Sequence, residues 1–316
     1  MTEQNLLSDL CPHCGNALQI PDHLKEFSCL YCGKRLTPQD IAPPAEEDTA
    51  LPPEERKVIL EELERALPLA VTDHLNIFKH FTKKAYPKYF AKYTEKYGTV
   101  FSRIAHLCRG KAGKAEVGNL GKAVVSRLDQ WAEENRGALR SKASLLDEIK
   151  YTLCLLTVPA ILQQPEKDCA LFAEALHEAW VTKYPENTFQ AVSYDTLMEG
   201  FRPRKLCYIT TATCRQAEKP DNCPELTAFR NFRDSYLTGL PGGPEQIEAY
   251  YNVAPGICMA IDLCNDPDGV YPKLWEKHLQ PCYEALCRGD EESCHGLYAE
   301  MVKELSSPEG IGKLLS

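Results

Sequence analysis

Two cysteine pairs near the N-terminus constrain this chain more than any other feature. Residues 11–14 read CPHC and residues 29–32 read CLYC, and each pair is followed by a glycine, Gly15 or Gly33. The spacing is C-x2-C-x14-C-x2-C. Four thiolates in two close pairs supply a closed tetrahedral Zn²⁺ shell, with Zn–S bonds of about 2.3 Å. The two-residue gap lets the backbone curl until both sulfurs of a pair reach one ion, and the glycine tolerates the positive φ such a knuckle needs. Between the pairs lie Leu18, Ile20, Leu24 and Phe27, too few apolar groups to fold so small a module unaided. Metal binding must then supply folding free energy on the order of 10 kcal/mol or more. Cys11, Cys14, Cys29 and Cys32 are therefore the candidate ligands of one structural zinc ion. His13 and His23 are rival ligands, but four cysteines already complete the shell, and His13 reads as a solvated knuckle residue. Iron in the same four sulfurs is the redox alternative.

Residues 8–36, with their CPHCG and CLYCG knuckles, resemble the zinc-ribbon family. The resemblance implies a small β-knuckle fold that recognises a protein or a nucleic acid through the ribbon; fold alone does not choose between them.

Fifteen cysteines are a great many for a chain whose N-terminus, MTEQNLLSDL, has no basic n-region and no long apolar core. Without an export signal, that count points to reduced thiols and metal ligands in a cytoplasm, not to a disulfide framework. No apolar run approaches the roughly 18–20 residues of a membrane span, so no membrane partner is expected. A net charge of -9 argues against a protein that coats nucleic acid non-specifically. At 316 residues and 44% hydrophobic, the chain has ample material for a buried core beyond the N-terminal module.

Residues 37–56 are rich in proline and glutamate and nearly free of large apolar groups, which reads as an extended linker. From residue 57 the pattern turns helical. Val58, Leu60, Leu63 and Leu67 recur at helical steps, Pro68 is expected to end that helix, and Asp73 to cap the next one, which breaks near Pro87. Further helices are predicted over about 115–136, 144–162 (interrupted at Pro159) and 167–184. No Walker-type or dinucleotide-type glycine loop occurs, which removes the familiar nucleotide-dependent enzymes. The expected fold is mainly α: a small zinc ribbon over 1–36, a linker over 37–56, a helical domain over 57–200, and a cysteine-rich, mostly helical region over 201–316 packed with the preceding helices.

Residues 77–114 interleave ten Lys and Arg residues with Phe78, Phe81, Tyr86, Tyr89, Phe90, Tyr93, Tyr97 and Phe101. One reading is a surface that stacks bases and neutralises phosphates. The other is a set of amphipathic helices with aromatic inner and lysine-rich outer faces. The same patch could instead dock onto the acidic linker residues Glu46, Glu47, Asp48, Glu54 and Glu55.

In the last third, Leu206–Thr213 is expected to form a short strand, because Ile209, Thr210 and Thr211 are β-branched. Pro220-Asp221-Asn222 is a turn, Asn222 or Pro224 opens a helix, and Gly239 with Pro241–Pro244 breaks it. The blocks CYITTATC, ELTAFRNFRDSYL and IEAYYNVAPGICMAI, covering about residues 205–265, are similar to the CFI-box domain found at the C-termini of many prokaryotic proteins. Cys214 and Ala254 depart from that family's outline. The resemblance names a domain and implies no activity. Residues 271–305 read as two helices separated at Arg288-Gly289-Asp290, with Asp290 capping the second, and the tail SSPEGIGKLLS as loosely attached.

No catalytic set is recognisable, so the main functional expectation is a zinc-binding adaptor. The alternative is a thiol- or metal-dependent enzyme centred on Cys207, Cys214 and Cys223, with Arg230, Arg233 and Asp234 nearby and His278 or His295 as base. A second metal site there would need tertiary assembly, because Cys207 and Cys214 lie two helical turns apart. The competing reading is that these cysteines, like Cys108, Cys154, Cys169, Cys258, Cys264, Cys282, Cys287 and Cys294, pack as small hydrophobes.

Overall fold

A computed structural model of the chain describes residues 6–11, 13, 17–21, 26–37, 51–109, 114–138, 140–165, 169–201, 207–264 and 266–315. The chain divides into two compact units, Met1–Ala50 and Leu51–Ser316. Cys14, His23, Leu24 and linker residues 38–50 lie outside the described residues.

The N-terminal unit contains two antiparallel hairpins. Strand β1 (Leu6–Leu10) pairs with β2 (Ala17–Pro21), Leu6 opposite Pro21 and Leu10 opposite Ala17. The shorter β3 (Phe27–Ser28) pairs with β4 (Arg35–Leu36). Leu18 and Ile20 stand two residues apart on β2, hence on one face. Both are buried, and with Leu36, Cys11 and Cys29 they form a small core flanked by Phe27.

The second unit is mainly α. Helix α1 (Pro53–Thr72) lies beside α3 (Gly98–Arg109) and α4 (Lys114–Asn135). Between α1 and α3 the chain makes a 3-10 turn (Ile77–His80) and α2 (Tyr86–Lys96). Helix α5 (Lys142–Thr152) runs through a π turn (Leu153–Thr157) into α6 (Val158–Leu162), and α7 (Cys169–Lys183) packs along α4. After α8 (Tyr194–Gly200) come α9 (Tyr208–Gln216), α10 (Pro224–Asn231), a second π turn (Phe232–Leu237) and α11 (Gly243–Asp262). The chain then forms α12 (Pro267–Leu274), a third π turn (Trp275–Leu279), α13 (Gln280–Cys287), α14 (Glu291–Leu305) and α15 (Pro308–Leu315).

Where the sequence supplies a good cap, the helix starts there. Ser141, Ser193 and Asp290 each accept a backbone N–H three residues on, which satisfies one of the otherwise orphaned donors of the first turn. One continuous apolar core joins the helices, from Ile59 on α1 to Ile311 and Leu314 on α15. Gly256 permits one of its closest approaches: a Cβ there would lie 2.3 Å from the Phe81 carbonyl oxygen, so only glycine fits between α11 and that backbone.

Five local expectations are overturned. Pro68 does not end α1; it lies buried inside it. Asp73 closes that helix, its N–H reaching the Leu69 carbonyl, and does not cap the next segment. Its carboxylate instead accepts from the Tyr97 hydroxyl at 2.7 Å and pairs with Lys96 at 3.0 Å. Pro159 is accommodated just after the π turn in a run that stays helical from Lys142 to Leu162. The described part of the expected strand, 207–213, is the start of α9, preceded by Cys207 at its cap position. No strand in the described residues of this unit offers it a partner, and the threonines suit the helix: Thr213 Oγ1 donates to the Ile209 carbonyl at 2.9 Å, the back-bond that lets Thr sit in helices. Finally, the tail is helical and anchored, with Ile311 and Leu314 buried.

The aromatic residues of 77–114 are core, not platform. Phe78, Phe81, Tyr86, Phe90, Tyr93 and Phe101 are buried; Tyr86 donates to the Leu155 carbonyl at 2.8 Å, and Tyr93 bonds the Thr157 hydroxyl at 3.0 Å. Lysines such as Lys79, Lys83, Lys88 and Lys92 are exposed. Of the acidic residues of the linker region, Glu55 meets His106 at 3.2 Å, while Glu46, Glu47 and Asp48 lie outside the described residues.

Candidate metal centre

The second hairpin of the N-terminal unit turns through the CLYC knuckle. Cys29 N–H donates to the Lys34 carbonyl and Gly33 N–H to the Cys29 carbonyl, both at 2.8 Å. Gly33 takes φ +69°, a conformation that a side chain would strain. This curl brings Cys29 and Cys32 back toward Cys11, at the end of β1. The three sulfurs lie within 4.8 Å of one another, the single such group of three or more His, Cys, Asp or Glu side chains among the described residues. Cys11 and Cys29 are buried and Cys32 exposed.

The distances decide what such a cluster can do. The sulfurs of Cys11 and Cys32 are 3.8 Å apart, far beyond the ~2.05 Å of a disulfide. A tetrahedron with metal–sulfur bonds of about 2.3 Å has edges of about 3.8 Å, so the spacing suits two thiolates on one ion. Around Cys29, the backbone N–H of Cys32 points at the sulfur and, against the opposing effect of burial, holds the thiol below its ordinary pKa; the Tyr31 N–H adds to this. Amides aimed at a sulfur stabilise the thiolate that a metal requires. Cys11, Cys29 and Cys32 can therefore hold a metal ion together. His13 is exposed and is not part of the cluster.

The cluster also leaves an unusual surface. The two residues between Cys29 and Cys32 point outward: Leu30 is 94% exposed and Tyr31 is 65% exposed. Their signal in the sequence is indirect. When the two sulfurs of a C-x2-C loop converge on one point, the intervening pair is forced away from it, and here that pair is Leu30 and Tyr31.

The alternative thiol site does not assemble. Cys214 and Cys223 lie together with Leu226 in a small cluster separate from the main core, to which Cys207 belongs. Burial, and then the neighbouring Cys223, pushes the Cys214 thiol up to about 12. Cys207 is also raised by burial, although Arg233 and Arg230 oppose this. Arg233 is tied into place, donating from Nε and Nη2 to both carboxylate oxygens of Asp234 at 2.6 and 2.7 Å, and from Nη1 to Cys207 Sγ at 3.6 Å. It fixes Cys207 more than it activates it, because a raised pKa leaves little thiolate at neutral pH. His278 is no base for this thiol: its Nε2 faces Glu304 at 3.7 Å, and burial lowers its pKa. Cys154 and Cys258 are buried thiols raised by desolvation, which fits packing better than reaction.

No known family, characterised protein or solved structure matches this chain. Among the described residues, no helix is long and apolar enough to cross a membrane.

Proposed function

We propose that this chain is a zinc-binding adaptor whose N-terminal unit is a zinc ribbon that docks a protein partner through Leu30 and Tyr31. The observation that carries the reading is the convergence of Cys11, Cys29 and Cys32, with a sulfur–sulfur spacing of 3.8 Å that matches the edge of a tetrahedral four-thiolate site. The CPHC spacing makes Cys14 the candidate for the fourth thiolate. A bound zinc ion would close the coordination shell and act structurally, leaving no open position for a substrate. Its work is to hold the knuckle so that Leu30 and Tyr31 stay presented.

Charge favours a protein over a nucleic acid. Residues 1–50 hold three Lys and Arg against eight Asp and Glu, a balance that repels phosphate. An exposed Leu–Tyr pair on a rigid loop is instead the kind of apolar anchor that inserts into a pocket on a partner.

Elemental analysis tests the metal first. One zinc per wild-type chain and its loss in Cys29→Ser support the reading; a metal-free wild-type chain purified without chelator overturns it. Crosslinking with identification of the joined peptides tests the docking. Leu30→Asp should keep the zinc and abolish protein adducts at the knuckle. Adducts that persist in Leu30→Asp, or salt-sensitive retention of nucleic acid by the wild type, would move the recognition role elsewhere.

A further inference from the structure

A cavity of about 400 Å³ opens in the second unit among α10, the π turn that follows it, α11 and α14. Its size lies within the ~300–1,000 Å³ typical of small-molecule sites. The walls are largely apolar. Cys207, Phe229 and Phe232 are its buried lining, while Gln246, Ala249, Ala299 and Lys303 are exposed at its mouth. His295, Ala299, Val302 and Lys303 on α14, with Ser306 at its C-terminal cap, line it, and the spacing of the four helical residues, four, three and one, puts them on one helical face.

The wall carries basic groups and neutral polar ones but no acid. Arg233, His295 and Lys303 line the cavity, and no carboxylate does. Arg233 is chelated by Asp234, and His295 Nε2 meets Gln246 Oε1 at 2.7 Å. Lys303, by contrast, has no ion pair among the described residues. An apolar chamber with an uncompensated ammonium at its mouth is complementary to an amphiphile with an apolar body and a single negative charge.

We propose that this cavity binds a free medium-chain monocarboxylate, its chain against Phe229, Phe232 and Cys207 and its carboxylate at Lys303. At roughly 30 Å³ per methylene-sized group, the share of one molecule in liquid water, the space takes about a dozen non-hydrogen atoms, the size of decanoate. The proposal concerns the helical unit and stands apart from the metal at the N-terminus.

Isothermal titration of the full chain with decanoate tests it, with decanol and acetate as comparators. Decanoate should bind saturably at one site. Decanol, lacking the charge, and acetate, lacking the chain, should each bind at least tenfold more weakly. Lys303→Gln should weaken decanoate about tenfold, and Ala299→Trp, an exposed substitution at the mouth, should abolish binding while far-UV circular dichroism stays unchanged. Decanoate should also slow alkylation of Cys207, followed by peptide mass spectrometry. Equal affinity for decanol and decanoate would mean a plain apolar hole and overturn the assignment of charge. Absence of saturable binding, binding that survives Ala299→Trp, or unchanged Cys207 alkylation would overturn the site itself.

Discussion

Asp129 offers the sharpest quantitative test of how the helical unit is held together. Its carboxylate sits on α4 and takes Lys142 Nζ from the start of α5 at 2.6 Å, Lys183 Nζ from the end of α7 at 3.1 Å, and the Tyr184 hydroxyl at 2.6 Å. One side chain thus clamps three helices. Burial pushes its pKa up, but the bonds from Lys142, Tyr184 and Lys183 together outweigh that and bring it from 3.8 down to about 2. A carboxylate shifted by that much contributes about 2 kcal/mol to folding. Because the folded-state pKa is depressed, this stability is present above the unfolded pKa and is lost as pH falls through the folded one. By pH 3 about half of it is gone. Asp129→Asn keeps the shape and removes the charge, so it should cost about 2 kcal/mol at pH 7 and about half as much at pH 3. Urea titrations followed by circular dichroism at both pH values would read this as a shift in midpoint at constant slope. Glu64→Gln, which breaks the more exposed pair with Arg127 at 2.8 Å, is the control and should cost no more than about 1 kcal/mol. If the gap between wild type and Asp129→Asn were the same at pH 3 as at pH 7, the clamp would be one of packing, and the electrostatic account would fail.

Three further outcomes are expected. On the proposed metal-site reading, a chelator should raise hydrogen exchange across residues 6–36, as followed by mass spectrometry, while the helical unit keeps its protection; protection of 6–36 that withstands chelator would mean the small core of Leu18, Ile20 and Leu36 suffices alone. Gly256→Ala sets a helix-propensity gain of about 1 kcal/mol against a backbone oxygen 2.3 Å from the new Cβ. Overpacking of that kind costs roughly 1–3 kcal/mol, so the melting temperature should fall, and a rise would show that Phe81 yields easily. Native-state alkylation of the helical unit should label the exposed Cys287 first and leave the buried Cys154 and Cys258 untouched until unfolding, because burial holds both thiols well above their ordinary pKa.

Much of the fold was legible because it rests on local patterns. The cysteine spacing marked out three residues that do converge, Cys11, Cys29 and Cys32, since a C-x2-C knuckle is a short-range geometry with few solutions. Helical periodicity located α4 and α7 to within about two residues, and Asp290 was readable as a cap because capping depends on a side chain and an amide three residues apart. The aromatic–lysine stretch left two readings open, and only packing settled it: the rings of Tyr86 and Tyr93 face inward to bond the π turn at Leu155 and Thr157.

What went unread depends on neighbours distant in the chain. Pro68 looked like a helix stop, yet burial against the core holds α1 together through it. Cys207–Thr213 carries β-branched residues, yet with no strand among the described residues of this unit to pair with, it became helix. The Thr213 hydroxyl donates to the Ile209 carbonyl and Thr210 bonds Tyr298, while the buried Thr211 hydroxyl has no partner among the described residues. The two-turn gap between Cys207 and Cys214 was legible, but that Cys214 joins Cys223 while Cys207 enters the main core was not, because spacing reports reach along one element and not which core a side chain enters. By itself the sequence determined that this chain carries a paired-cysteine module and a mainly helical body, since both follow from interactions spanning a few residues. Only the tertiary structure decided which thiols meet, which aromatics are buried and where a cavity remains, because those are set by how helices far apart in sequence share one apolar interior.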